Sequence, residues 1–295
     1  MSPFNTLLQR EWMQHHRGWL ILMLVLPAVF LLLLFSTFSH VDVGAMRPVE
    51  LMLASSLAAT LAVVGVTAVS IAIQTSGLAR RDRQDRSIEF WLSLPTSHSA
   101  SIGATLLMHL LLVPLLALAV GAVCSQVIAF ALVTKVFGVA AWLDLPWGML
   151  LVTGAAALLR LAVGVVLAVL WLSPLLLLAM VASAWLKRWG VPILAIVLAV
   201  GHGVLSAGYG FTGVGDTLHA LTGNATLAVI HGEPMRANGD GSFAGTVAWL
   251  GDAPHWFLLD GMAALRDTLK PLFLGALAVS AACFGLLVLR RGRSG

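Results

Sequence analysis

Trp19-Leu20-Ile21-Leu22-Met23-Leu24-Val25-Leu26-Pro27-Ala28-Val29-Phe30-Leu31-Leu32-Leu33-Leu34-Phe35-Ser36-Thr37-Phe38 runs for twenty residues without a charge. At 1.5 Å per residue a helix of that length covers roughly 30 Å, the thickness of a bilayer's hydrocarbon core. In lipid no water meets the backbone N–H and C=O groups, so such a run must close its hydrogen bonds internally, as a helix. No small-x-small cleavage site follows closely, so the segment reads as a retained anchor and not a signal peptide.

Working outward, five further runs have the same character. They cover residues 51–77, 101–134, a stretch that ends at 185 and begins between 147 and 161, 191–207 and 272–289. Six crossings are therefore expected. Composition agrees: the 295 residues are 59% hydrophobic and 10% charged, against about 25% charge in soluble domains. The length would hold two soluble domains, but so much apolar side chain implies one polytopic, all-α membrane unit over 1–295. Cys124 and Cys283 lie inside apolar runs and read as small hydrophobes, with no disulfide framework.

Basic residues set the expected orientation. With the N-terminus in the cytoplasm, the inner segments carry Arg10, Arg17, Arg80, Arg81, Arg83, Arg86, Lys187, Arg188, Arg290, Arg291 and Arg293, which is 11 of the 17 Lys and Arg. Both termini then lie inside, as an even number of crossings requires. The net charge of +4 is spread between apolar runs and makes no long patch, so nucleic acid is not an expected partner. Trp12, Trp19, Trp142, Trp147, Trp185, Trp189 and Trp256 fall near expected membrane edges as an aromatic belt.

Three segments lie outside the crossings. Residues 1–18 place Phe4, Leu7, Leu8 and Trp12 at helical spacing with Gln9, Arg10 and Gln14 between them. That pattern predicts an amphipathic helix lying in the interface, anchored by Phe4, Leu8 and Trp12. Residues 80–98 are the most charged stretch of the chain. They turn apolar at Ile88, Phe90, Trp91, Leu92 and Leu94 and stop at Pro95, with Thr96, Ser97 and Ser99 available as caps. A short amphipathic helix on the cytoplasmic face follows. Residues 208–270 form the largest outer segment, with glycine-rich turns and two apolar-periodic stretches at 217–230 and 254–269. Pro254 reads as the first turn of the second helix.

Absent motifs narrow the chemistry. There is no G-x-x-x-x-G-K-[ST] phosphate loop, no H-E-x-x-H and no C-x-x-C, and Ser206 lacks the glycine that would precede a nucleophile elbow. No catalytic residue is expected. Polar residues within the crossings are few: Gln74, His109, Gln126, Arg160 and His202. The histidines read as interhelical hydrogen-bonding groups, and Arg160 as a side chain snorkelling to the outer interface. His219, His231 and His255, near Asp216, Glu233 and Asp252, are spaced too irregularly for a metal site to be expected.

The stretch Arg81-Asp82-Arg83-Gln84-Asp85-Arg86-Ser87-Ile88-Glu89-Phe90-Trp91-Leu92-Ser93-Leu94-Pro95-Thr96-Ser97 resembles the loop between helices two and three of ABC-2 type exporter permeases. The layout is similar too: an interfacial N-terminal helix, six crossings, a large outer segment before the sixth and a basic tail. The resemblance implies a coupling helix that docks on a separate ABC ATPase subunit, with Arg83, Asp85, Arg86, Ile88, Glu89, Phe90, Trp91, Leu94 and Pro95 forming the contact. Physical chemistry points the same way, because an exposed Phe90, Trp91 and Leu94 face is a liability without a partner, and the charges around it would fix register. The resemblance further implies a bacterial inner-membrane location and a second permease copy, either identical or a similar chain. It implies ATP and Mg²⁺ on the partner ATPase, no cofactor bound by this chain, and outward transport. Crossings almost free of charge favour a hydrophobic or amphipathic cargo such as a peptide, lipid or drug-like molecule. Two other classes stay open: an ion-coupled secondary transporter, which needs a titratable group in mid-membrane, and a membrane-embedded scaffold or enzyme, which needs a reactive cluster.

Overall fold

A computed structural model describes residues 3–36, 43–44, 46–84, 97–232 and 243–292. Every regular element among them is helical. In chain order they are α1 (Pro3–Ser36), α2 (Pro48–Gln84), α3 (His98–Leu106), a π-helical segment (Leu107–Leu112), α4 (Val113–Phe137) and the single turn α5 (Val139–Leu143). Then follow α6 (Trp147–Leu186), a 3₁₀ turn (Lys187–Trp189), α7 (Gly190–Tyr209), α8 (Gly213–Val229), α9 (Phe243–Arg266), a 3₁₀ turn (Asp267–Leu269) and α10 (Pro271–Gly292).

Five stretches are long and apolar enough to cross a membrane: Phe4–Ser36, Pro48–Thr75, His98–Phe137, Trp147–Tyr209 and Pro271–Gly292. Their outward faces carry Ile21, Leu32, Phe35, Val69, Ile73 and Leu159, each more than 60% exposed, which only a hydrocarbon solvent tolerates over so wide a surface. The chain is an integral membrane protein, helical in every regular element among the described residues.

The fourth stretch is 63 residues long, far more than one crossing needs. It breaks at Lys187, whose φ of 56° is the one positive value at a non-glycine among the described residues. Just beyond, a Cβ on Gly190 would sit 2.5 Å from the backbone of Ala182 and Ser183. The start of α7 therefore lies directly against the end of α6, and only glycine fits there. A second close approach joins α2 to α4: a Cβ on Gly121 would meet the Thr60 carbonyl at 3.2 Å. Small residues at such crossings let backbones approach where no hydrophobic force drives helices together.

Of the helices that pass through proline, α6 and α9 repair their ladders in the same way. Proline lacks the N–H that would bond the carbonyl four residues earlier. For Pro174 in α6 that carbonyl belongs to Leu170, and it accepts from Ser173 Oγ at 2.7 Å. For Pro254 in α9 it belongs to Leu250, and it accepts from Thr153 Oγ1 of α6 at 2.9 Å, in a buried contact.

This corrects the expectation that a helix starts at Pro254. Pro254 is interior to α9, because Leu250 and Ala253, each 1% exposed, hold the preceding turns in the core.

A second correction concerns residues 1–18. They were expected to form a separate helix in the interface. Instead residues 3–18 are the first turns of α1, which runs 34 residues without interruption. No proline separates residues 4–19, and Leu7, Arg10 and Glu11 are buried against the bundle.

Contacts sort the bundle into two ends. At one, Thr105 Oγ1 donates to Glu11, the Arg290 guanidinium lies 5.6 Å over Trp185, and Leu78, Ile102 and Leu106 pack on Leu177, Met180, Cys283 and Leu287. At the other, Lys135 Nζ donates to the Leu34 carbonyl, Thr246 Oγ1 donates to Glu50, and Leu34, Val49, Leu150 and Leu250 share a cluster. The start of α1 and the end of α10 thus lie at the same end.

Candidate functional site

The stretch expected to engage a partner is bracketed by described helices. Arg83 lies in the last turn of α2, and α3 begins at His98 behind Ser97, whose Oγ accepts from Ala100 N at 3.2 Å as an N-cap. That cap was expected from the sequence. Asp85, Arg86, Ile88, Glu89, Phe90, Trp91, Leu94 and Pro95 lie outside the described residues. Of the expected anchors, Phe4, Leu8 and Trp12 are half-buried, and Leu8 and Trp12 pack on the cluster built around Trp19, Met23, Met108 and Val113. They face protein as much as lipid.

A densely connected polar site is one the sequence assigned differently. Arg160 does not snorkel. It is 5% exposed and meets Asp260, 6% exposed, with Nε donating to Oδ2 at 2.8 Å. Nη2 approaches the same oxygen at 2.7 Å as an ion pair without hydrogen-bond alignment. Nη1 donates to the Ala228 carbonyl at the end of α8, at 2.8 Å. The other oxygen of Asp260 accepts from the backbone N–H of Gly232 at 2.6 Å and of His231 at 3.1 Å. One guanidinium and one carboxylate thereby tie α6, α8, α9 and the turn at 230–232 together. A second layer follows, in which Asp267 contacts His231 Nε2 at 3.2 Å and Lys270 Nζ at 2.9 Å.

Glycines make room for this knot. A Cβ on Gly164 would fall 2.9 Å from the Ala228 carbonyl, and one on Gly261 would fall 3.2 Å from Arg160 Cδ. Both carboxylate oxygens of Asp260 are engaged by donors. The knot is an ion pair that joins three helices and a turn.

A clue to Asp260 was present in the sequence. Ala253, Asp260 and Ala264 stand seven and four apart on one helical face, and all three are buried. A charge on a core stripe needs a partner, and the only cation in the expected fourth crossing is Arg160. Among the described residues the one group with metal-ligand geometry lies elsewhere, at Glu11, His15 and His109.

Between α1, α2 and α4 lies a cavity of about 310 Å³, lined by Leu26, Pro27, Phe30, Ala59, Val63 and Ile128 among others. The hydroxyl in its wall, on Ser55, is spent on the Leu51 carbonyl at 2.6 Å. The space is sized for an apolar group and offers no charged side chain to fix a polar one.

Compared with known proteins, the chain matches no family, no curated protein and no solved structure.

Proposed function

We propose that this chain is the permease subunit of an ATP-driven exporter of the ABC-2 type. It forms the membrane pathway and is driven by a separate ATPase subunit docked on the segment between its second and third crossings. The observation that carries the reading is the charged-then-apolar stretch from Arg81 to Ser97. Its flanks support it. α2 and α3 deliver this segment to the end of the bundle that also receives Arg10, Arg290 and Arg291, the end that a positive-inside bias assigns to the cytoplasm.

Six crossings are part of the proposal. The start of α1 and the end of α10 share one end of the bundle, which supports an even number of crossings. Five apolar stretches meet that condition if Trp147–Tyr209 crosses twice, turning at Lys187. α6 has 40 residues, roughly 60 Å at the helical rise and about twice the hydrocarbon thickness. The cargo is apolar or amphipathic, in keeping with the cavity between α1, α2 and α4 and with crossings almost free of charge.

The test is co-purification. Tagged wild-type chain, extracted from its native membranes in mild detergent, is expected to bring down a protein with a phosphate loop in stoichiometric amount. Phe90→Asp and Trp91→Asp are expected to insert normally and lose that partner by at least about tenfold, because each buries a charge at an apolar contact centre. A stoichiometric complex retained by both variants overturns the docking site, and the absence of any phosphate-loop protein from the wild-type complex overturns the class.

A further inference from the structure

At the end of the bundle nearest the chain's start, α1 and the third apolar stretch bring Glu11, His15 and His109 together. One ligand-capable atom from each lies within 4.8 Å of the others. Glu11 is 5% exposed, His109 is fully buried and His15 is half-buried. Two carry-over details turn proximity into a site.

First, both imidazoles are held in the same tautomer. His15 Nδ1 lies 3.0 Å from the Glu11 carbonyl, and His109 Nδ1 lies 3.0 Å from the Thr105 carbonyl. A carbonyl only accepts, so each Nδ1 carries a proton, which leaves Nε2 as the nitrogen through which either neutral ring would bind a metal. A metal-binding histidine is commonly oriented in this way, by donating its other nitrogen to a backbone carbonyl. Second, the carboxylate is oriented as well. Arg10 Nη2 and Thr105 Oγ1 both donate to Glu11 Oε1, which is the outer support that ligating carboxylates have.

The backbone contributes too. His109 sits within the π-helical segment Leu107–Leu112, and single π-turns inside α-helices occur mostly at functional sites. Around the ligands, Trp19 stacks on His15 at 5.3 Å and meets His109 edge-on at 5.2 Å. That indole packs against both rings and restricts them.

We infer that Glu11, His15 and His109 bind a divalent transition-metal ion of the zinc type, tying α1 to the third membrane-spanning stretch. Two neutral imidazoles and one carboxylate suit a borderline metal. Bonds of about 2.1 Å in tetrahedral geometry separate ligand atoms by roughly 3.4 Å, so small rotamer shifts from the present spacing close the site. Three protein ligands leave a fourth position for water, and half-buried His15 marks the route in.

The experiment uses the full-length chain in detergent, stripped with a chelator, loaded with zinc chloride alone and dialysed before metal analysis. Wild type is expected to retain about one zinc per chain. X-ray absorption should then report imidazole and oxygen donors. Glu11→Gln and His15→Gln are expected to weaken zinc binding by more than about 100-fold. Thermal unfolding in chelator shows whether each variant is folded, and His15→Gln, at the half-buried position, is the safer of the two. A control lacking His219, His231 and His255 is expected to bind like wild type. The inference is overturned if stripped wild type retains no more zinc than His15→Gln, or if the outer-histidine control loses the ion.

Discussion

At the scale of single residues, the buried Arg160–Asp260 pair makes the sharpest demand. Each partner is almost fully excluded from solvent, and each is satisfied only by the other and by backbone groups at 2.6–3.1 Å. Removing one strands the other's charge, a loss of about 3–5 kcal/mol in buried pairs, whereas replacing both with apolar residues is often close to neutral. Arg160→Met and Asp260→Leu are therefore expected to lower the unfolding temperature sharply as single changes, and Arg160→Met with Asp260→Leu to recover most of it. Thermal unfolding in detergent reads the order, and a double variant worse than both singles would refute the pairing. Sequence reasoning placed Arg160 near the outer interface but missed its partner, 100 positions away. Helical periodicity reports which face a residue occupies, not which distant helix will meet it. The same limit hid Glu11, His15 and His109. The four-residue spacing of Glu11 and His15 was visible, but the third ligand arrives only when α1 packs on the third apolar stretch.

At the scale of elements, the apolar runs were legible almost to their ends, because their length answers to bilayer thickness and little else. Helix limits outside that constraint were not. Residues 4–18 extend α1 instead of forming a separate helix, and α9 continues through Pro254 because Thr153 takes over the Leu250 carbonyl. This repair predicts a dependence between two helices. Thr153→Val keeps the side-chain shape but leaves that carbonyl buried and unmet, a loss of about 1–3 kcal/mol. In Pro254→Ala the restored N–H of residue 254 satisfies the carbonyl from within α9, so adding Thr153→Val should then cost little. A double-mutant cycle on unfolding stability is expected to show coupling of about 1 kcal/mol or more. Additive losses would mean that the hydroxyl supports something other than the broken ladder.

At the scale of the whole molecule, the proposed topology turns on parity. If Trp147–Tyr209 crossed once, the chain would have five crossings and its termini would face opposite compartments; if it crosses twice, they face the same one. Lys187 is where these alternatives separate, since a double crossing places the 3₁₀ turn Lys187–Trp189 on the side of both termini. Four reporters read this directly. In a chain carrying Cys124→Ser and Cys283→Ala, single cysteines are introduced by Ser2→Cys, Arg188→Cys, Gly239→Cys and Ser294→Cys, and intact cells are treated with a membrane-impermeant maleimide. Gly239→Cys is expected to react from outside, while the other three react only after the membrane is opened. Reaction at Arg188→Cys but not at Ser2→Cys in intact cells would remove the double crossing. Reaction at Ser294→Cys but not Ser2→Cys would establish odd parity. A uniform inversion, with the other three reactive and Gly239→Cys protected, would leave the bundle intact but turn it over. The segment at 80–98 would then face away from any cytoplasmic ATPase, and the proposed coupling would fail with it.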